Sequence, residues 1–478
     1  MLDLNLPSEK MLPFSYFFEI SKIPHGSGNC GKIADYLVSF AKKHGLNYER
    51  DEHNNVLIRK PATAGYENRP TVILQGHTDM VAEKAPSSDI DMSCEGLRLF
   101  ADGDLIGAVD TTLGGDDGIA VAYMLAILSS SDIPHPALEA LFTSDEEIGL
   151  IGASLVDGSW FSGKTLINID SEEEGVFTVG CAGGVRVDMS LGKKACERLS
   201  EGVYSVKVDG LIGGHSGVEI DKGRANAARI IAEILSSLDN VRISSIKGGN
   251  MDNAIMRECE AVFTTSLDDG AISKKILSLV SKISDEHPDD GPIRVRLNEL
   301  SESVFFTYDD SRSIVSCLNS LPFGVLKMSE DIAGLPESSA NIGVVRISAE
   351  ADSSYLTSSL RSSSKSELAR MKGDCMKIAE GHGFTIDFRG EYPAWEYRKD
   401  SRLRDCAVAL YRKMYGKEPV VMTIHAGLEC GALSQKIDGL DCISIGPDMT
   451  GIHTTEERLS VSSSVRVYEF ILALIKAL

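Results

Sequence analysis

The sequence predicts an α/β protein in which one domain is built from both ends of the chain and a second domain is inserted between them. Three observations carry this. Short apolar, β-rich runs stop abruptly at polar residues, as in TVILQGH (71–77), ALEALFTSDEE (137–147) and TLINID (165–170). Segments of helix length and composition fall between them. The texture changes after about residue 186, and SRLRDCAVALYRKMYG (401–416) then opens a fresh α/β unit. At 478 residues the chain also exceeds what one hydrophobic core usually serves.

Taken in order, residues 14–46 read as a helix pair around a turn at Pro24–Gly26, followed by strand-like NNVLIRK (54–60) and TVILQGH. A Gly-rich turn at Leu113–Gly118 leads into IAVAYMLAIL (119–128), of helix length. The strands over 137–147 and 165–170 both run into acidic residues, which places a site at the carboxyl ends of the strands. In the insert, VYSVKVDGL (203–211) predicts a strand and DKGRANAARIIAEILSSL (221–238) a long amphipathic helix. Strand–helix alternation continues through ISKKILSLVSKI (272–283), RVRLNEL (294–300), NIGVVRISAE (341–350) and a helix near 363–382. GLDCISIGP and a final helix close the first domain. The expected division is 1–185 plus 399–478 for the outer domain and 186–398 for the insert.

The 48 Lys+Arg against 70 Asp+Glu give a formal charge of −22 and no dense basic stripe, which argues against a nucleic-acid or anionic-membrane binder. The N-terminal stretch carries Asp3, Glu9 and Lys10 and no unbroken apolar run, so no secretory signal is expected. No apolar stretch reaches the length of a membrane span. The ten cysteines are scattered without a CxxC pair and read as reduced, mostly buried thiols of a cytoplasmic protein.

The chemistry concentrates at the strand exits. His77 ends one strand, two residues before Asp79; Asp116 and Asp117 follow a Gly-Gly turn and precede a helix; Asp145, Glu146 and Glu147 close the next strand; Asp170 closes another; His453 lies in GIHTTEE. Clustered carboxylates repel and are costly to bury unless a cation is present. Imidazole with carboxylate is the donor set of zinc and its borderline neighbours. Five such groups exceed the need of one tetrahedral ion and fit two, about 3.5–4 Å apart, sharing a carboxylate and activating a hydrolytic water. The acidic run Glu172–Glu174 reads as a solvated loop.

The motifs LQGHTDMV, TTLGGDDGIA, FTSDEEIG, INIDSEEEG, GGHSGVEI and GIHTTEERL resemble those of the M20 zinc metallopeptidases. GGNMDNAIMRE (248–258) and HAGLECGALS (425–434) resemble those of its aminoacyl-histidine dipeptidase branch, and the match runs from about residue 10 to 475. The resemblance implies an α/β catalytic domain with an inserted α+β lid and dimerisation domain, and two Zn2+ per subunit, with Co2+ or Mn2+ as substitutes. It implies His77 and Asp170 on one ion, Glu147 and His453 on the other, and Asp116 bridging them, with a cis peptide between Asp116 and Asp117. Many members of the branch have Asn where this chain has Asp117, so the sequence alone does not separate Asp116 from Asp117. By the same resemblance Glu146 is the general base, Asp79 orients the His77 imidazole, and His215 stabilises the oxyanion, reaching a neighbouring subunit's site. Asn253 and Arg361 then hold the substrate carbonyl or C-terminal carboxylate, while His425 and Glu429 lie in a motif of less defined role.

The implied activity is hydrolysis of short peptides, Xaa-His dipeptides foremost, in a cytoplasmic homodimer. A related amidohydrolase, such as a tripeptidase or aminoacylase, would use the same metals, because specificity lies in pocket residues from the insert. A catalytically silent metal-binding scaffold would be expected to lack Glu146 or a ligand, and this chain has them all.

Overall fold

The computed structural model describes all residues except 1–3, 5, 8, 9, 201, 331 and 333; Asp3 and Glu9 lie outside the described residues. The chain divides into two compact units, one formed by Met1–Cys181, Tyr397–Thr423 and Leu428–Leu478, the other by Ala182–Glu396 and Ile424–Gly427.

The first unit is built on an eight-stranded mixed sheet, in the order Asn47–Arg50, Val56–Lys60, Leu138–Thr143, Val72–His77, Thr165–Asn168, Asp441–Ser444, Val176–Cys181, Val420–Ile424. Its centre is parallel: Val72–His77 runs alongside both Leu138–Thr143 and Thr165–Asn168, and the latter alongside Asp441–Ser444. Val72–His77 and Leu138–Thr143 are buried along their whole length, so their residues show no alternation of buried and exposed faces. Register sets His77 opposite Thr143 and Gln75 opposite Asn168, which lines up the strand exits.

Two expected strands are shorter than their apolar runs. Leu138–Thr143 stops before the acidic triplet because Asp145 takes a left-handed φ of 53° and turns the chain out of the sheet. Thr165–Asn168 likewise ends two residues before Asp170. The helix Gly115–Ser129 is buried from Gly115 to Leu128, which is why its sequence shows no polar face. Leu12–Ile20 brings Phe14 and Phe17 into the same core, and the final helix Val461–Ala477 adds Phe470 and Ile471. The Tyr123 hydroxyl donates to the Ser464 carbonyl at 2.7 Å, and Phe470 stacks on Phe177. A four-stranded sheet joins Leu99–Asp102 and Leu105–Ala108 to Arg458–Ser460 and Met449–Thr450, and so ties the segment around His453 to the segment before Asp116. Glu174, expected in a solvated loop, instead holds Arg466 through two bonds of 2.6 and 2.7 Å.

The second unit is an α+β layer. Its sheet runs Arg294–Leu300, Val203–Asp209, Cys259–Thr264, Arg242–Gly248, Pro336–Ser348, Ser353–Ser362, Gly183–Gly192, Thr385–Tyr392, with Gly324–Met328 added on Pro336–Ser348. Every described pairing in it is antiparallel. The helices Ala227–Ser237, Asp269–Glu286, Tyr308–Ser320 and Lys365–Gly381 bury Ile231, Ile272, Leu318 and Met371 against Val206, Phe263, Ile246 and Leu360 of the sheet. The helix expected over 221–238 begins only at Ala227. Gly223 is left-handed at φ 64°, and the Asn226 side chain caps the helix by accepting from Ala228 N at 3.0 Å. The residues before it serve the turn at His215 instead, with Arg224 paired to Glu219 at 3.1 Å.

Among the described residues no helix is long and apolar enough to cross a membrane. None of the ten cysteines is in a disulfide, and seven are buried.

Candidate active site

In the first unit the strand exits converge on Asp116. Its Oδ1 lies 3.0 Å from His77 Nε2 and its Oδ2 lies 3.2 Å from His453 Nε2. Asp170 Oδ1 is 3.5 Å from the same His77 nitrogen, and Glu147 Oε1 is 2.9 Å from the same His453 nitrogen. Two donor sets result, His77–Asp116–Asp170 and Asp116–Glu147–His453, each with its atoms within 4.8 Å of one another and with Asp116 common to both.

This geometry also separates the two neighbouring aspartates. The Asp116–Asp117 peptide is cis. Asp117 faces the sheet, where its Oδ2 accepts from His77 N at 3.1 Å. A Cβ at Gly76 would lie 2.4 Å from that oxygen, so only glycine lets the turn approach the strand so closely.

The donor set fits a metal cofactor on two counts. Two ligand atoms about 2.0–2.2 Å from one tetrahedral ion lie about 3.4 Å from each other, close to the separations found here. The charges also call for cations. Burial, with Asp170 beside it, holds Asp117 well above the usual carboxylate range, and burial pushes Asp170 up to about 7. Burial also raises Glu146, aided by Asp170, Glu429 and Glu147. The Asp116 and Glu147 carboxylates push His453 up to about 10. Burial opposes charge on His77, yet Asp170, Asp116 and Asp79 outweigh it and raise the imidazole. So many carboxylates around two imidazoles demand positive charge, which divalent ions supply.

Asp79 has more partners than orientation of an imidazole requires. His77 Nδ1 is 2.9 Å from the Asp79 backbone carbonyl and 3.5 Å from its carboxylate. That carboxylate accepts from Glu146 N at 3.0 Å, Glu147 N at 3.3 Å and Ser27 Oγ at 2.8 Å, so it fixes the backbone of the acidic triplet. Asp145 closes the same turn by accepting from Gly28 N at 2.6 Å. Glu146 has a carboxylate oxygen within 4.8 Å of donor atoms on both His77 and Glu147.

Inside the sheet lies a polar chain that sequence reasoning left unread. Asn168 Nδ2 donates to Gln75 Oε1 at 2.7 Å, and Gln75 Nε2 and Thr143 Oγ1 donate to Glu429 Oε2 at 2.5 and 2.7 Å. All four residues are fully buried, and burial pushes Glu429 up to about 7. The available signal was the presence of Gln75, Thr143 and Asn168 near the ends of otherwise apolar strands.

The second unit gathers the remaining candidates. Gly214–His215 pairs with Ala254–Ile255, and Ser216 N donates to the Asn253 carbonyl at 2.8 Å, which sets His215 beside the Asn253 turn. His215 Nδ1 accepts from Gly217 N at 3.1 Å and Val218 N at 3.2 Å. Burial and Arg361 lower its pKa, so the ring is neutral with its proton on Nε2. A Cβ on Gly217 would lie 2.8 Å from the His425 carbonyl, 3.0 Å from the His215 ring and 3.2 Å from the Arg361 guanidinium carbon; that glycine lets the three residues meet. Arg361 Nη1 donates to the Tyr392 hydroxyl at 2.7 Å. His425, held down to about 4 by burial and Arg361, bonds Ser339 Oγ at 2.7 Å. His425 thus belongs to this cluster, while Glu429, four residues on, lies in the first unit.

Residues 206–292 match the family model described as a peptidase dimerisation domain. The chain is 34% identical over 470 residues to the cytosol non-specific dipeptidase of Escherichia coli strain K12, covering 96% of each chain. It superposes on the crystal structure of an aminoacylhistidine dipeptidase from Vibrio alginolyticus with a TM-score of 0.92 and 32% identity, covering 100% of this chain and 98% of that one. An aminopeptidase PepT from Bacillus cereus shares the fold at 16% identity, with a TM-score of 0.56 over 98% of each chain.

The two donor sets generate a test of their own. His77→Ala and His453→Ala are each expected to remove about one metal equivalent, and Asp116→Ala to weaken both. Elemental analysis after equilibrium dialysis measures this; wild-type stoichiometry in all three variants would refute the ligand assignment.

Proposed function

The chain belongs to the M20 peptidase family, in its aminoacyl-histidine dipeptidase branch, and from that premise we propose that it is a dinuclear zinc dipeptidase cleaving Xaa-His and related dipeptides. The observation that carries the dinuclear reading is the Asp116 carboxylate, with one oxygen toward each of two imidazoles. His77 and Asp170 would hold one ion and Glu147 and His453 the other, with Asp116 between them. When bound, such a pair supplies Lewis-acid activation of a water and of the scissile carbonyl.

The chain's own residues do the rest. Glu146 adjoins a ligand without being needed as one. It takes the proton of the attacking water and passes it to the leaving amine nitrogen. Asp79 holds Glu146 in place through its backbone amide. His215, neutral and protonated on Nε2, donates a hydrogen bond to the oxyanion as the carbonyl becomes tetrahedral. Arg361 offers its guanidinium to the substrate's C-terminal carboxylate, a geometry that suits bidentate pairing, and Asn253 holds the substrate carbonyl. The match to a dimerisation domain supports a homodimer, in which we assign His215 to the partner subunit's reaction. The Escherichia coli relative is named a cytosolic enzyme, and we place this one in the cytoplasm too.

A panel of Xaa-His dipeptides, other dipeptides, tripeptides and N-acyl amino acids tests the substrate class. Dipeptides are expected to be cleaved fastest, with Xaa-His foremost; faster turnover of tripeptides or N-acyl amino acids would replace this reading by a tripeptidase or aminoacylase. Glu146→Gln is expected to keep its metal and lose about 10²–10⁴-fold in kcat, and near-normal kcat at full metal occupancy would remove Glu146 from the mechanism. Mixing inactive Glu146→Ala and His215→Ala subunits should restore part of the activity, because each hybrid dimer then carries one site with both residues intact. Verified hybrids without recovered activity would reject the exchange of His215 between subunits.

A further inference from the structure

One buried carboxylate near the donor sets is assigned to no ion and no proton. Glu457 is 3% exposed and ends the segment that begins at His453. Its Oε2 accepts from Leu113 N at 2.7 Å and Gly114 N at 3.1 Å, and its Oε1 from Gly115 N at 2.8 Å and Asp116 N at 3.4 Å. These are the successive amides of the turn that opens the helix Gly115–Ser129. The backbone is non-helical at Asp116 and Asp117, so these N–H groups belong to a turn outside the regular helix ladder, and a carboxylate with two oxygens is an acceptor for all four.

The other end of this contact is His453. From His453 to Glu457 the chain is a closed turn, in which Thr454 N donates to the Gly451 carbonyl and Glu457 N to the Thr454 carbonyl, both at 3.2 Å. Beyond it, Arg458–Ser460 is clamped to Leu105–Ala108. The imidazole and the carboxylate of Glu457 therefore belong to one short, braced loop. One end of that loop contacts Asp116 through its side chain, and the other grips the backbone that carries Asp116.

We propose that Glu457 is a positioning residue for the Asp116–Glu147–His453 donor set: it locks the Asp116 turn to the His453 loop and holds Asp116 Oδ2 at its 3.2 Å spacing from His453 Nε2. This rests on the reading of those three residues as metal ligands. Glu457 touches neither the ion nor the substrate in that reading. Its loss should therefore loosen one ion and slow the chemical step while leaving substrate affinity nearly unchanged. An outer partner of this kind is typically worth about 10–100-fold in metal affinity or activity.

The variant that tests this is Glu457→Gln, which keeps the size and one acceptor but points an NH2 group at amides that themselves donate. Metal-free wild-type, Glu457→Gln and His453→Ala proteins are titrated with Co2+ and followed by visible d–d absorption. Steady-state kinetics and a circular-dichroism melt of the metal-free proteins run in parallel. The expected result is that Glu457→Gln binds the ion of the Asp116–Glu147–His453 set at least about tenfold less tightly and loses kcat in proportion. KM should stay within about threefold, and the metal-free fold should be intact. If His453→Ala loses an ion while Glu457→Gln keeps wild-type affinity and kcat, the positioning role is overturned and the ligand reading stands. Full binding of both ions by His453→Ala would overturn the ligand reading and this role with it. A Glu457→Gln protein that is unfolded without metal would assign Glu457 to fold stability and overturn the role as well.

Discussion

Everything in the first unit is arranged around one carboxylate between two imidazoles. Asp116 can address His77 and His453 at once only because its two oxygens point in different directions from a backbone fixed on all sides. The strand beneath gives up a side chain at Gly76 so that Asp117 can accept from the His77 amide. Asp79 does the corresponding work for the acidic triplet by accepting from the amides of Glu146 and Glu147. Carboxylates here act twice over, some facing the donor sets and others holding the backbone of those that do. The parallel centre of the sheet makes this feasible, since it delivers His77, the Glu146–Glu147 turn and Asp170 to one edge in register.

The same clustering sets the electrostatic problem that the cofactor answers. Without cations, burial and mutual repulsion drive Asp117, Asp170 and Glu146 toward their neutral forms, while His77 and His453 are driven to take up protons. A donor set charged in this way is poorly suited to any task but holding positive ions. Glu429 adds to that burden from within the sheet, yet it is bonded through only one oxygen in the chain that runs by Gln75 and Thr143.

Much of this was legible in the sequence, for a definite reason. Ligand-type residues stand directly after short apolar runs, so His77, Asp116, Glu147, Asp170 and His453 announced themselves by residue type and by position at strand exits. Asp116 and Asp117 could not be told apart, because their difference lies in the direction of a peptide and in space left by Gly76. The helix over 221–238 was overread: its apolar period begins at Ala227, and the charged residues before it are drawn off by the His215 turn. Glu457 lay within a quoted motif, but its partners are more than 340 residues away in the chain, and nothing local marks a side chain that binds distant amides. The order of the second unit's sheet was out of reach for a similar reason, since antiparallel pairing such as Arg361 with Gly184 joins residues from distant segments.

The second unit solves a different problem with a different device. Donors to a developing negative charge are useful only if they do not reorganise when that charge appears. Acceptance of two backbone N–H groups by His215 Nδ1 assigns the tautomer, and burial beside the Arg361 cation keeps the ring neutral. Arg361 is braced by the Tyr392 hydroxyl, and His425, kept neutral by burial and then by the same cation, is bonded to Ser339. Burial first, and the one guanidinium second, thus lower the pKa of both histidines. In the first unit, positive charge must be brought in to let carboxylates stay ionised. In the second, burial together with a built-in positive charge keeps imidazoles from acquiring more. The first unit thus gathers an electron-rich set of carboxylates and imidazoles and the second a fixed set of N–H groups, and this chain builds each in a separate compact unit.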